Sequence, residues 1–142
     1  MTYASPLSRG PRSLRSYTDI GLETQVLNAT PERLITLLFD GARTAIAQAR
    51  LHLEAGRTAE RGASISKAIR IVDEGLKTGL DREAGGELAA NLANLYDYIT
   101  RLLLTANLKA DVESLNTADR LLEDLSAAWR QAVDPKPDSP SA

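Results

Sequence analysis

Residues 88–106 read LAANLANLYDYITRLLLTA. Leu88, Leu92, Leu95, Ile99, Leu102 and Ala106 follow one another in alternating steps of four and three. That is the period of a helix packed along a bundle seam, and it predicts the most regular helix of the chain. A stripe of this kind is stable only when other helices cover it, so the neighbouring segments must supply them.

Upstream, Thr30-Pro31-Glu32 has the form of a helix start. Thr30 supplies a capping oxygen, Pro31 gives up an N–H that has no partner at that position, and Glu32 faces the positive end of the helix dipole. Leu34, Ile35, Leu38, Ala42, Ala45, Ile46, Ala49 and Leu53 then mark one face, and Gly56 is placed to end the helix in a left-handed conformation. Thr58 is placed to cap a second helix, with Ile65, Ile69, Val72 and Leu76 on one stripe. Gly79 and the stretch 81–86 punctuate the next break. Downstream, residues 107–111 form a turn with Asp111 as N-cap. A fourth helix carries Leu115, Ala118, Leu122, Leu125, Trp129 and Ala132. Pro135, Pro137 and Pro140 forbid its continuation.

Four such helices with short loops predict an all-α, antiparallel up-down four-helix bundle. A short additional N-terminal helix is expected from Tyr17, Ile20, Leu22, Val26 and Leu27. The expected organisation is a flexible arm over 1–16, one helical domain over 17–133 and a disordered Pro-rich tail over 134–142.

Composition agrees. The chain has 142 residues and no cysteine, and aromatic residues make up 4%. A chain this long buries roughly 70% of its unfolded surface, so it needs no metal or disulfide to fold. The net charge is −2 with both signs interspersed, which argues against a nucleic-acid partner. No apolar run approaches the roughly 18 residues of a membrane span, so stable membrane insertion is not expected. Arg9, Arg12 and Arg15 with several Ser faintly resemble a transit peptide, but Pro6, Gly10 and Pro11 interrupt any amphipathic helix.

Helical bundles host several chemistries, and the residues for them are missing. A di-iron site needs Glu-x-x-His on two helices, whereas His52 is the single histidine and Ala49 stands three before it. A histidine phosphotransfer-like bundle would want Lys three residues after its histidine, and Ala55 is there. Gly85-Gly86 lacks the lysine and preceding strand of a phosphate loop. No catalytic, metal or cofactor site is expected, so the chain reads as a binder, not an enzyme. The phosphotransfer bundle and a structural oligomerisation module remain the alternatives.

The motifs Ala29-Thr30-Pro31-Glu32-Arg33-Leu34-Ile35, Leu38-Phe39-Asp40-Gly41-Ala42, Gly79-Leu80-Asp81 and Gly85-Gly86-Glu87-Leu88-Ala89 resemble those of the flagellin export chaperone family FliS. So do Asn91-Leu92, Leu95-Tyr96-Asp97-Tyr98, Ala106-Asn107 and Trp129. The run Tyr17, Ile20, Leu22-Glu23-Thr24, Val26 resembles the start of proteobacterial members. The resemblance covers about residues 14 to 131. Phe39 stands where many members have Tyr, and the arm before Tyr17 is longer than the family pattern.

The resemblance implies a cytoplasmic (cytosolic) chaperone that binds the C-terminal segment of flagellin, prevents premature polymerisation and delivers it to the flagellar type III export gate. It implies no cofactor. An anti-sigma factor is a further partner to be considered, and either a monomer or a weak homodimer is compatible. Leu14 and Tyr17 are the implied export-gate contacts. Candidates for the flagellin groove or its N-terminal cap are apolar residues off the main seams, a surplus on the first helix that is too wide for one seam, and two flanking amides. They are Ile20, Leu22 and Val26 before the bundle; Leu34, Leu37 and Leu38 on the first helix; and Asn91, Asn94, Tyr98 and Leu103 on the third.

Overall fold

The computed structural model describes residues 29–133. Helix α1 spans Pro31–Glu54, α2 spans Thr58–Arg70, α3 spans Arg82–Lys109 and α4 spans Val112–Val133. Between α2 and α3, Ile71–Lys77 continues as a π-helix. No strand occurs among the described residues. The expected short N-terminal helix, the arm, the tail and the candidates Leu14, Tyr17, Ile20, Leu22 and Val26 lie outside them.

The start of α1 is built as its residues dictate. The Arg33 N–H donates to Thr30 Oγ1 at 3.0 Å, and Pro31 opens the helix. Gly56 adopts φ +72° just past its end. At α2, Arg57 rather than Thr58 is the N-cap residue and makes no side-chain cap bond; Thr58 is already the first helical residue. The break over 81–86 shrinks to a kink. Asp81 Oδ1 accepts from the Ala84 N–H at 3.0 Å, so α3 begins at Arg82. Gly86 then bends the helix with φ 52°, ψ −127°, a conformation essentially confined to glycine. α3 also runs through Asn107, leaving Ala110 and Asp111 as the turn. Asp111 does cap α4, accepting from the Glu113 N–H at 3.1 Å and the Ser114 hydroxyl at 2.8 Å. These bonds hold its carboxyl below the usual carboxylate range, the Ser114 bond contributing most.

The helices form an antiparallel ring in which α1 touches α2 and α4, and α3 touches α4 and α2 with its π-helical extension. Three contacts fix the directions. Gly75 lies on Leu38; the Arg61 guanidinium donates to the Asn107 side chain and carbonyl; Arg43 pairs with Asp119 at 2.9 Å. The core takes Leu38, Ala42, Ile46 and Ala49 from α1, and Ile65, Ala68, Ile71 and Val72 from the second arm. It takes Leu115, Ala118 and Leu122 from α4.

The α3 stripe is corrected at four of its six positions, while Ile99 and Ala106 face inward as expected. The residues that face inward are Ala89, Ala93, Tyr96, Ile99, Leu103 and Ala106. Small Ala89 and Ala93 let α3 approach its neighbours closely, and the larger leucines are pushed to the rim. Leu92, Leu95 and Leu102 are half-buried, while Leu88 is exposed.

Candidate functional site

Antiparallel packing brings four helix ends together. The first turns of α1 and α3, the last turns of α4 and the end of the π-helix converge around a cavity of about 280 Å³. Ile35 and Phe39 come from α1, and Leu76 from the π-helix. Leu88, Leu92 and Tyr96 come from α3, and Leu125, Ala128 and Trp129 from α4. Every lining side chain is apolar or aromatic. Phe39, Leu76, Tyr96 and Trp129 are buried and form the inner wall, while Leu88, 53% exposed, stands at the mouth.

The wall is anchored. The Trp129 indole N–H donates to the Glu32 carbonyl at 3.3 Å, which orients the ring against the start of α1. Burial pushes the Tyr96 hydroxyl well above its ordinary pKa, so it stays neutral. The Gly86 kink lies two residues before Leu88 and six before Leu92, at the end of α3 that borders the cavity. Along the α1–α4 edge, Asp40 pairs with Arg130 at 2.8 Å. Farther along, Arg43 grips both carboxylate oxygens of Asp119, which raises its pKa further. A pocket lined only by apolar and aromatic side chains is suited to an apolar side chain and offers no partner to a free ion.

The structure distributes the sequence candidates unevenly. Leu38 and Leu103 are wholly enclosed and Leu34 nearly so; all three belong to the core and offer a guest no surface. Leu37 instead lines a separate, mixed groove between α1 and α2, with Arg33, Asp40, Gln48 and Lys67. Asn91, Asn94 and Tyr98 are exposed on α3, and the Arg101 guanidinium lies 5.9 Å from the Tyr98 ring centre. Ile35, Leu76, Leu88, Leu92, Leu125 and Trp129 read as seam positions in the sequence, Phe39 and Tyr96 enter there only through motifs, and Ala128 gives no signal. Their common signal is position: bulky residues near helix termini that meet at one end once the helices are antiparallel.

No group of His, Cys, Asp or Glu suited to a metal occurs among the described residues, and no described helix is long and apolar enough to cross a membrane.

Comparison with known proteins places this fold. The family "Flagellar protein FliS" matches residues 13–136. The flagellar secretion chaperone FliS of Salmonella typhimurium is 46% identical over 87% of this chain and 90% of that protein. The Escherichia coli chaperone of the same name is 37% identical over 86% of this chain and 90% of its own length. The flagellar secretion chaperone FliSB of Pseudomonas aeruginosa is 40% identical over 83% and 93% respectively. This is a family of chaperones, not of enzymes, and the chain belongs to it.

Proposed function

We propose that this chain is a cytoplasmic flagellar export chaperone that binds the C-terminal segment of flagellin, keeps it from polymerising and delivers it to the type III export gate. The observation that carries this reading is the apolar cavity walled by Phe39, Tyr96 and Trp129. An amphipathic helix laid across the rim would seat a bulky side chain there and cover the exposed Leu88. Folding of a disordered guest on binding costs ordering entropy, which keeps affinity moderate and allows release.

Tyr98, Asn91 and Asn94 extend the same reading along α3, as contacts for the guest's side chains and backbone. Leu14 and Tyr17 are the proposed contacts to the export gate. Residues 14–28, with Ile20, Leu22 and Val26, are proposed to cover the guest surface until flagellin arrives. The chain enters α1 at Pro31, within two turns of the cavity residues Ile35 and Phe39.

Capture of flagellin with and without its C-terminal helical segment tests the central claim. Binding that disappears with the segment supports it; equal capture of both forms, or of neither, overturns it. Deleting residues 1–28 should raise affinity for the flagellin segment, and unchanged or weaker binding would reject the cover.

A further inference from the structure

The π-helix Ile71–Lys77 is unusual in length. Such turns are normally single and often stand at functional sites. Here seven residues adopt it. The Thr78 N–H reaches back five residues to the Asp73 carbonyl at 3.1 Å, and the Thr78 hydroxyl donates to the same oxygen at 2.7 Å. Ile71, Val72, Gly75 and Leu76 face inward. Asp73 and Glu74 face water, and Lys77 reaches across to Asp97 on α3 at 2.6 Å.

Two consecutive residues of this segment shape the cavity. Leu76 is part of its wall. Gly75 packs so tightly on α1 that an added Cβ would stand 2.9 Å from Leu38 Cδ2 and 3.2 Å from Cδ1. Leu38 is fully enclosed. Its neighbours on α1, Ile35 and Phe39, line the cavity, so a displacement of Leu38 would be passed to two lining residues. A change from the π to the α register would rotate Leu76 by about 100° and take it off the wall.

We propose that the π register, set by the contact of Gly75 on Leu38, determines the size of the cavity and so which bulky apolar side chain of a guest helix it accepts. This rests on the cavity being the guest's seat. Gly75 is a positioning residue: it acts on the guest through Leu38 and Leu76.

The test uses the full chain and the apolar dye 8-anilinonaphthalene-1-sulfonate. Trp129 is the single tryptophan and lines the cavity, so energy transfer from it to the dye reports occupancy. Gly75→Ala is expected to weaken dye binding at least fivefold. Adding Leu38→Val, which shortens the side chain the new Cβ meets, is expected to restore it to within twofold. Unchanged binding in Gly75→Ala, or no restoration in the double variant, overturns the proposal. So does a failure of the unaltered chain to bind the dye. Should Gly75→Ala not fold by circular dichroism, amide exchange of the unaltered chain decides. Amides 76–78 are expected to slow at least fivefold on dye binding, and no change there overturns the proposal. Since flagellin appears in none of these measurements, a failed flagellin capture sinks only the assignment of the guest.

Discussion

The indole N–H of Trp129 donates to the backbone carbonyl of Glu32, joining the end of α4 to the first turn of α1 across 3.3 Å. The same carbonyl also accepts from the Thr36 hydroxyl at 3.4 Å. This bond orients a wall of the cavity and adds to the contacts between α1 and α4, so stability and site share a residue.

Trp129→Phe should therefore separate the two roles. It keeps most of the buried ring and loses the hydrogen bond, at a cost of about 1 kcal/mol. Trp129→Ala should cost about 3–5 kcal/mol, since the ring's volume is left empty. Urea unfolding followed by circular dichroism measures both, and an unchanged stability in Trp129→Phe would deny the bond any separate part.

Leu88 and Leu108 provide a matched pair of surface changes. Leu88 stands at the cavity mouth and Leu108, 82% exposed, lies near the other end of α3. Leu88→Asp should weaken binding of a flagellin C-terminal peptide about tenfold, as expected for losing one apolar contact worth about 1.4 kcal/mol. Leu108→Asp should leave binding unchanged. Calorimetry on both variants reads the difference, and equal effects would remove the cavity from the interface.

Ala110 ends α3 in a left-handed conformation, φ 51°, ψ 48°. A Cβ there costs roughly 1–2 kcal/mol, of which the greater freedom of unfolded glycine returns a part. Ala110→Gly should stabilise the fold by about 0.5–1 kcal/mol. A rise in Tm of about 2–4 °C is the expected reading.

Tyr96 predicts an alkaline weakness. Its folded pKa is raised by burial, so the native state holds the proton more tightly than the unfolded chain. The stability this gives is complete below the unfolded value of about 10 and falls as pH rises beyond it, by up to about 1.4 kcal/mol per pH unit. Tyr96→Phe should flatten the decline relative to the unaltered chain in unfolding curves taken from pH 8 to 11.

The bundle was legible from sequence because its signals are local. Thr30, Gly56 and Asp111 act on their own helix ends, and all three do so in the structure. On α3 the sequence places Ile99 and Ala106 correctly, but its leucines outweigh the alanines, and only the packing of the helices shows that Ala89 and Ala93 go inside. Leu38 and Leu103, candidates for the groove, lie in the core. The π-helix carries no local pattern distinct from an α-helix, so nothing in the sequence singles out Gly75. The cavity was hidden because it belongs to four helix ends at once, and only the relative placement of the helices brings Phe39, Tyr96 and Trp129 together.

The wall completed by Trp129 also orders events in time. Synthesis proceeds from the N-terminus, and α1, the second arm and α3 precede α4 in the chain. A nascent chain holding those three has Phe39 and Tyr96 but no closing face, and the carbonyl of Glu32 has no indole to receive. The wall of the cavity is thus incomplete until α4 has been made, whatever the order in which the helices pack.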